Sequence, residues 1–559
     1  MLDVTEFGAD PTGVADSTAA VAAAIEAARD VAGPKGLVFP KGTYHFYPDQ
    51  AVPHELYLSN TAGADPAVRF KRFALYVEGI DDLTIDGQGS HFQLHGQLGL
   101  FAVLGSTNVT LTNFEFDHSA PRIIDLTVIE TGPGYRIVSV PAGSPYVVEA
   151  GQVSFLTDPS PYDGQPYWRH SSDELSNGQQ VFDPVAGLAS RRPPWLFENV
   201  ISVTDLGERR LRIDYGSEAT PDGLGMVYSL REVTRDTAAG FIWQSKDVAV
   251  TDLQARYLHG FGILGQFSEN IVVSGNEFVT DRASGRIAAA FADFVQMSGV
   301  KGTVTITGNT FDGAHDDAIN IHGTYLPITK IDGRTLHLRY AHNETAGFPQ
   351  FAVGDELEIT NRASLRAVGQ ATVTAVTGPT GRDSRQLTTM TVVLDRDVPA
   401  DVVADPEAFA VENTTYTPAV RVAGNTFRNI PTRGVLVATR RPAVIEDNVF
   451  DGLDMSAILI TADASGWYES GPVRDLTIRR NTFRRPVRNH ASILINPENT
   501  VFDGPVHENI RIEDNTFEGG LVVEAKSVRN LAIRNNHVDG GTSDDSFRFT
   551  DCSEITLEN

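Results

Sequence analysis

VTITGNTF, residues 304–311, alternates apolar and polar side chains, turns at a glycine, and closes on Asn309 and Phe311. The pattern recurs in IVVSGNEF (271–278), VRVAGNTF (420–427), AVIEDNVF (443–450), LTIRRNTF (476–483) and IRIEDNTF (510–517), with a decayed copy in LAIRNNHV (531–538). Asn276, Asn309, Asn425, Asn448, Asn481 and Asn515 hold the same place, at spacings of 33, 116, 23, 33 and 34 residues. β-Type alternation recurring at roughly 20–35 residues, with no helical period, is the signature of a β-solenoid. Asparagine tolerates a left-handed turn, and its amide can bond the same residue in the next coil. The phenylalanine two residues on is then expected to stack inside, so both residue types read as structural.

Working outward, the gap of 116 is one coil plus an insertion. Residues 325–418 lack the repeat and read as short strands with turns (FAVGDELEIT, QATVTAVTG), as do residues 118–238 (IDLTVIETGPGYRIVSV). Each suggests a small β-barrel or sandwich. The expected organisation is all-β: solenoid over 1–117, a β-barrel-like insert over 118–238, solenoid over 239–324, a second insert over 325–418, and solenoid over 419–559. The one clear helix, ADSTAAVAAAIEAARDVAG (15–33), can be capped by Asp16 or Ser17 and is the candidate cover for the open end.

Bulk properties narrow the function. The chain has 559 residues and a net charge of −27, which argues against nucleic acid or an anionic membrane as partner. Cys552 is the only cysteine, so neither an internal disulfide nor a cysteine metal site is available. No apolar run approaches the ~20 residues of a membrane span. The N-terminus, MLDVTEFGADPTG, lacks the basic-then-apolar pattern of a signal peptide. A secreted or surface-associated protein whose leader is absent from this sequence is expected, and the inserts offer surfaces for a homodimer.

FDGAHDDAINIHG (311–323) carries the candidate chemistry. By parity Ile319 and Ile321 face inward, and Asp316, Ala318, Asn320 and His322 outward, with Asp317 in the turn. Aligning the coils on their asparagines brings Asp293 beside Asp316 and Asp317, since neighbouring coils lie ~4.8 Å apart. The same edge is expected to hold His259, Arg433, Trp467 and Glu469, with small residues (Ala318, Gly434, Ala457) leaving room for a ligand. A polar surface ladder would account for any one of these residues. It accounts less well for three clustered carboxyls, which repel, push pKa values apart and suit acid–base catalysis.

The N-terminal FGADPTGVADSTAAVAAAI resembles the cap of pectate-lyase-like right-handed β-helix enzymes. More specifically, LTIDGQGSHFQLHG, NFEFD, HDDAINIHG and WYESGPVRDLTIRRNTF, in that order, resemble glycoside hydrolase family 110, the α-1,3-galactosidases. The resemblance runs from about residue 3 to about residue 555 and covers both inserts. It implies a right-handed parallel β-helix and an inverting exo-hydrolase. The implied substrate is a glycan or oligosaccharide ending in α-1,3-linked galactose, blood-group-B-type or linear. It further implies Asp316 as general acid, its pKa raised by its neighbours, with Asp293 and Asp317 activating water. No metal or cofactor is implied. Asn320, His322, Arg433, Trp467, Glu469 and His259 are assigned to sugar binding by position alone.

Three other readings stay open on the residues. A polygalacturonase-like hydrolase would want basic groups in its groove. A polysaccharide lyase would want Ca²⁺ or a Lys/Arg base. A non-catalytic, adhesin-like β-helix would need no tuned carboxyl cluster.

Overall fold

The computed structural model describes residues 1–62, 64–175, 178–382, 385–486 and 490–558. It is a right-handed parallel β-helix with two inserted β-modules. One face runs coil on coil through Lys246–Ala255, Glu269–Ser274, Lys301–Thr307, Ala419–Ala423, Ala443–Glu446, Leu476–Arg479, His507–Glu513 and Val528–Arg534. A second face stacks Val295, Ile319, Val435, Ile458, Ile493 and Val523 in unbroken parallel register.

The asparagine ladder sets that register. Each Asn Nδ2 donates to the Oδ1 of the next, from Asn276 through Asn309, Asn425, Asn448, Asn481 and Asn515 to Asn536 in the decayed copy, at 2.9–3.0 Å. The same amide donates to a carbonyl of the coil before, as Asn309 does to Val273 O at 3.0 Å. The left-handed turn belongs to the residue before the asparagine, contrary to the expectation. Gly275, Gly308 and Gly424, then Asp447, Arg480 and Asp514, have φ of +53° to +68°. Glycine is the easiest residue there, which explains the repeated Gly-Asn. Beside the ladder Phe278, Phe311, Phe427, Phe450, Phe483 and Phe517 stack nearly parallel, ring centroids 4.5–5.2 Å apart. Each is buried, a gain of roughly 1.5–3 kcal/mol apiece.

The helix spans Thr18–Ala28 and buries Val21, Ala24, Ile25 and Ala28, one face at helical spacing, over the first coils. Asp16 supplies its capping bond, to Thr18 N at 2.8 Å, and the Ser17 side chain does not. The first insert is a seven-stranded antiparallel sheet, from Leu188–Ser190 at one edge to Val200–Asp205 at the other, with a separate three-stranded sheet. The second closes as a six-stranded antiparallel barrel: Ile319–Asp332, Thr335–Arg339, Thr389–Leu394, Ala367–Thr377, Glu356–Asn361 and Phe409–Asn413, the last pairing back to the first. Strand Ile319–Asp332 is therefore shared. Its first residues pair with Val435–Val437 in the helix and its later ones, from Tyr325, with the barrel.

Candidate active site

The coil register fixes the aspartates. Phe294 N donates to Asp317 O at 3.2 Å and Ala318 N to Arg433 O at 3.1 Å, so Asp293, Asp317 and Arg433 stand at one level in three successive coils. Asp316 precedes them in the loop, next to His315, whose Nε2 lies 2.7 Å from Ser229 Oγ in the first insert. The three aspartates line a cavity of about 350 Å³ together with Asn320, Arg433, Trp467 and Glu469. Ile319 and Ile321 are in the core, as parity requires.

Two of the expected binding residues lie elsewhere. His259 is two residues short of the aspartate level: Ile263 pairs with Val295, which sets Phe261 beside Asp293. It is buried with Nε2 3.5 Å from Asp236 and does not line the cavity. His322 is buried behind the wall, 2.9 Å from Gln296 Nε2 and 3.5 Å from Glu469 Oε1. Nor do the small residues leave ligand space. Ala318 and Ala457 belong to the core, and a Cβ on Gly434 would come 2.7 Å from the Phe450 ring.

Glu469 is held by Asn60 Nδ2 at 3.1 Å and Asn320 Nδ2 at 3.2 Å. Trp467 is 47% exposed, open enough for a sugar face. Its ring lies 5.7 Å from the Arg235 guanidinium and 4.3 Å from the His342 ring of the second insert.

The residues that sequence reasoning missed are arginines. Arg191, Arg231 and Arg235, all from the first insert, line the cavity with Asn60 from the N-terminal coils. Arg235 Nη2 lies 2.5 Å from Asp316 Oδ2, Arg191 3.6 Å from its Oδ1, and Arg433 Nε donates to Asp317 Oδ1 at 2.8 Å. Arg235 also reaches Glu344 of the second insert at 3.3 Å. The charged run REVTRD (231–236) was the available signal, but no repeat places it against the coils.

These arginines reverse the expected charge pattern. Burial alone would raise the Asp316 pKa. Arg191 and Arg235, with Arg433 and Arg231 behind them, outweigh it and hold Asp316 below the usual carboxylate range. Asp293 has no arginine within ion-pair distance among the described residues, and Arg235 acts on it only from farther off. Burial, then the charges of Asp316 and Asp317, push its pKa well up. Asp317 is raised by burial, against the pull of Arg433 and with a push from Asp316. Asp293 is thus the carboxyl most biased toward keeping a proton and Asp316 the one most biased toward losing it: the raw material of a paired acid and base. Among the described residues, no three His, Cys, Asp or Glu side chains are placed to hold a metal ion. A larger cleft of about 540 Å³ lies beside Asp236 and Thr237, at the end of the same charged run. Its aspartates are already engaged, Asp236 by Arg122 and Asp49 by Ser160 and Tyr167.

A family model described as Rhamnogalacturonase A/epimerase, pectate lyase-like, matches residues 1–51. The chain is 50% identical to alpha-1,3-galactosidase A of Streptomyces avermitilis, over 96% of its own length and 87% of that protein's. The chain belongs to the α-1,3-galactosidase family. The Bacteroides thetaiotaomicron alpha-1,3-galactosidase A is 34% identical, over 96% of this chain and 93% of that one. Among solved structures, the Yersinia enterocolitica family 28 exopolygalacturonase matches at a TM-score of 0.42 and 11% identity, over 99% of this chain and 77% of that one. As a member of the α-1,3-galactosidase family the chain is a glycoside hydrolase. Glycoside hydrolases of the common kind need one carboxyl proton donor and one carboxylate that acts as base or nucleophile, and the cavity offers three aspartates for those two roles, with Glu469 beside them.

Proposed function

We propose that the chain is an exo-acting, inverting hydrolase that releases terminal α-1,3-linked galactose from blood-group-B-type or linear α-1,3-galactosides. The observation that carries this reading is the cluster of Asp293, Asp316 and Asp317 in one cavity, with arginines on two of the three. The names of the relatives supply the sugar. The Arg235–Glu344 bridge, which joins the two inserts beside Trp467, favours a pocket for a chain end over an open groove.

Position divides the roles. The Asp316 side chain is 14% exposed and that of Asp317 3%; Asp293 as a whole residue is 4% exposed. Asp316 therefore stands toward the mouth, where the leaving group departs, and donates the proton to the glycosidic oxygen. The deeper pair, level on adjacent coils, holds and activates the water. An inverting site needs acid and base ~6.5–9.5 Å apart to admit that water. Sugar hydroxyls that take over hydrogen bonds from Arg191 and Arg235 release Asp316 from their pull, which raises its affinity for the proton it must donate.

Leaving-group chemistry tests the assignment. Asp316→Asn is expected to lose about 10²–10⁴-fold on an α-1,3-galactobiose. It should lose far less on a galactosyl fluoride, whose departure needs no acid. Asp293→Asn and Asp317→Asn should fail on both. Sparing of the fluoride by Asp293→Asn instead would move the acid to Asp293. Proton NMR in the first minutes must show β-galactose; α-galactose appearing first would refute inversion.

A further inference from the structure

Arg231 ends strand Val227–Arg231 of the first insert and lines the cavity, yet is only 7% exposed. The other three cavity arginines each have a carboxylate: Arg433 has Asp317, Arg235 has Asp316 and Glu344, and Arg191 has Asp316. Arg231 has none within ion-pair distance among the described residues. Its one hydrogen bond runs from Nη1 to Glu232 O at 3.2 Å, and its buried Nε has no acceptor. Glu232, next to it in sequence, is taken by Arg122, and Asp316, the acid that acts on it most, is paired with Arg235. The guanidinium lies over the Phe291 ring at 4.7 Å, a ring it shares with Arg122 at 5.5 Å.

A buried, unpaired cation is costly, and contact with a ring offsets only part of that cost. Burial, then repulsion from Arg235, lowers its pKa to about 10, so the charge remains at neutral pH. The site keeps it charged and leaves Nε and Nη2 without an acceptor among the described residues.

We propose that Arg231 is an oxyanion subsite that receives a carboxylate or sulfate ester carried by the galactosyl unit in the cavity. This rests on the hydrolase reading and narrows its substrate class. A planar fork of N–H donors matches two oxygens of such a group, and charge-assisted bonds are the strong ones.

The test compares α-1,3-galactobiose with derivatives whose non-reducing unit carries a C6 carboxylate, or a sulfate ester at O2, O4 or O6. Wild-type enzyme should favour at least one anionic substrate by ~10-fold or more in kcat/KM, and which one identifies the oxyanion. Inorganic sulfate should compete with the neutral substrate, measured against chloride at equal ionic strength. Arg231→Gln should erase both effects, and Arg231→Lys should keep part of each. Anionic substrates slower than the neutral one, or an advantage that survives in Arg231→Gln, would overturn the proposal. If no galactoside is cleaved at all, the hydrolase reading fails. Calorimetry of sulfate binding to wild type and Arg231→Gln then decides the subsite by itself.

Discussion

Asp293 has the costliest environment of the three aspartates. Its carboxyl is buried, faces two carboxylates and, among the described residues, lacks the arginine partner each of them has. A group whose pKa is raised on folding stabilises the fold below its unfolded value, and that stability is lost as pH rises through the folded value. Above that pH the fold carries a third buried negative charge. Asp293→Asn should therefore raise Tm more at pH 8 than at pH 4 while abolishing activity, a trade of function for stability checked by calorimetry at both pH values. An equal shift at the two pH values would mean that Asp293 titrates normally. The aspartates were legible in the sequence because the asparagine repeat sets each coil's register, so counting from Asn276 and Asn309 brings them together. His259 was misplaced by the same counting. The loop lengths between repeats differ, and a slip of two residues moved it from the aspartate level to the level of Phe291. Arg191, Arg231 and Arg235 were illegible for a different reason: nothing in an irregular insert says which loop reaches back over the coils.

Among the elements, the asparagine ladder is the most sharply defined. Asn425 accepts from both Asn309 N and Asn309 Nδ2 and donates to Ile306 O and Asn448 Oδ1, all at 2.9–3.0 Å and buried. Asn425→Ala strands groups on both neighbouring coils, each at about 1–3 kcal/mol. Denaturant titration should show a loss of roughly 3 kcal/mol or more, in contrast to near-neutral changes at exposed positions of the same strands. No loss would mean that the ladder only accompanies the Phe stack. The sequence showed the ladder but misassigned its turn. Gly-Asn and Asp-Asn read as asparagine corners, while the strained φ falls one residue earlier, at Gly308, Gly424 and Asp447. The helix was also legible, though its expected span of 15–33 shortens to Thr18–Ala28, the part whose apolar face meets the coils.

For the whole molecule, the site is a meeting of three bodies. The coils bring the carboxyls, the first insert brings Arg191, Arg231 and Arg235, and the barrel brings Glu344 and His342 against Arg235 and Trp467. Glu344→Gln weakens the Arg235–Glu344 ion pair between the inserts at the mouth. It should raise KM several-fold with less effect on kcat, and hydrogen exchange should quicken around residues 340–348. A fall in kcat at constant KM would instead place Glu344 in the chemistry. The barrel does not hang from a flexible tether. Ile319–Asp332 is a single strand, paired with Val435–Val437 at one end and closed into the barrel at the other, with Asn320 near its start. It works as a stiff lever with its fulcrum two residues past Asp317. A displacement of the barrel is carried along that strand to the coil that holds Asp316 and Asp317.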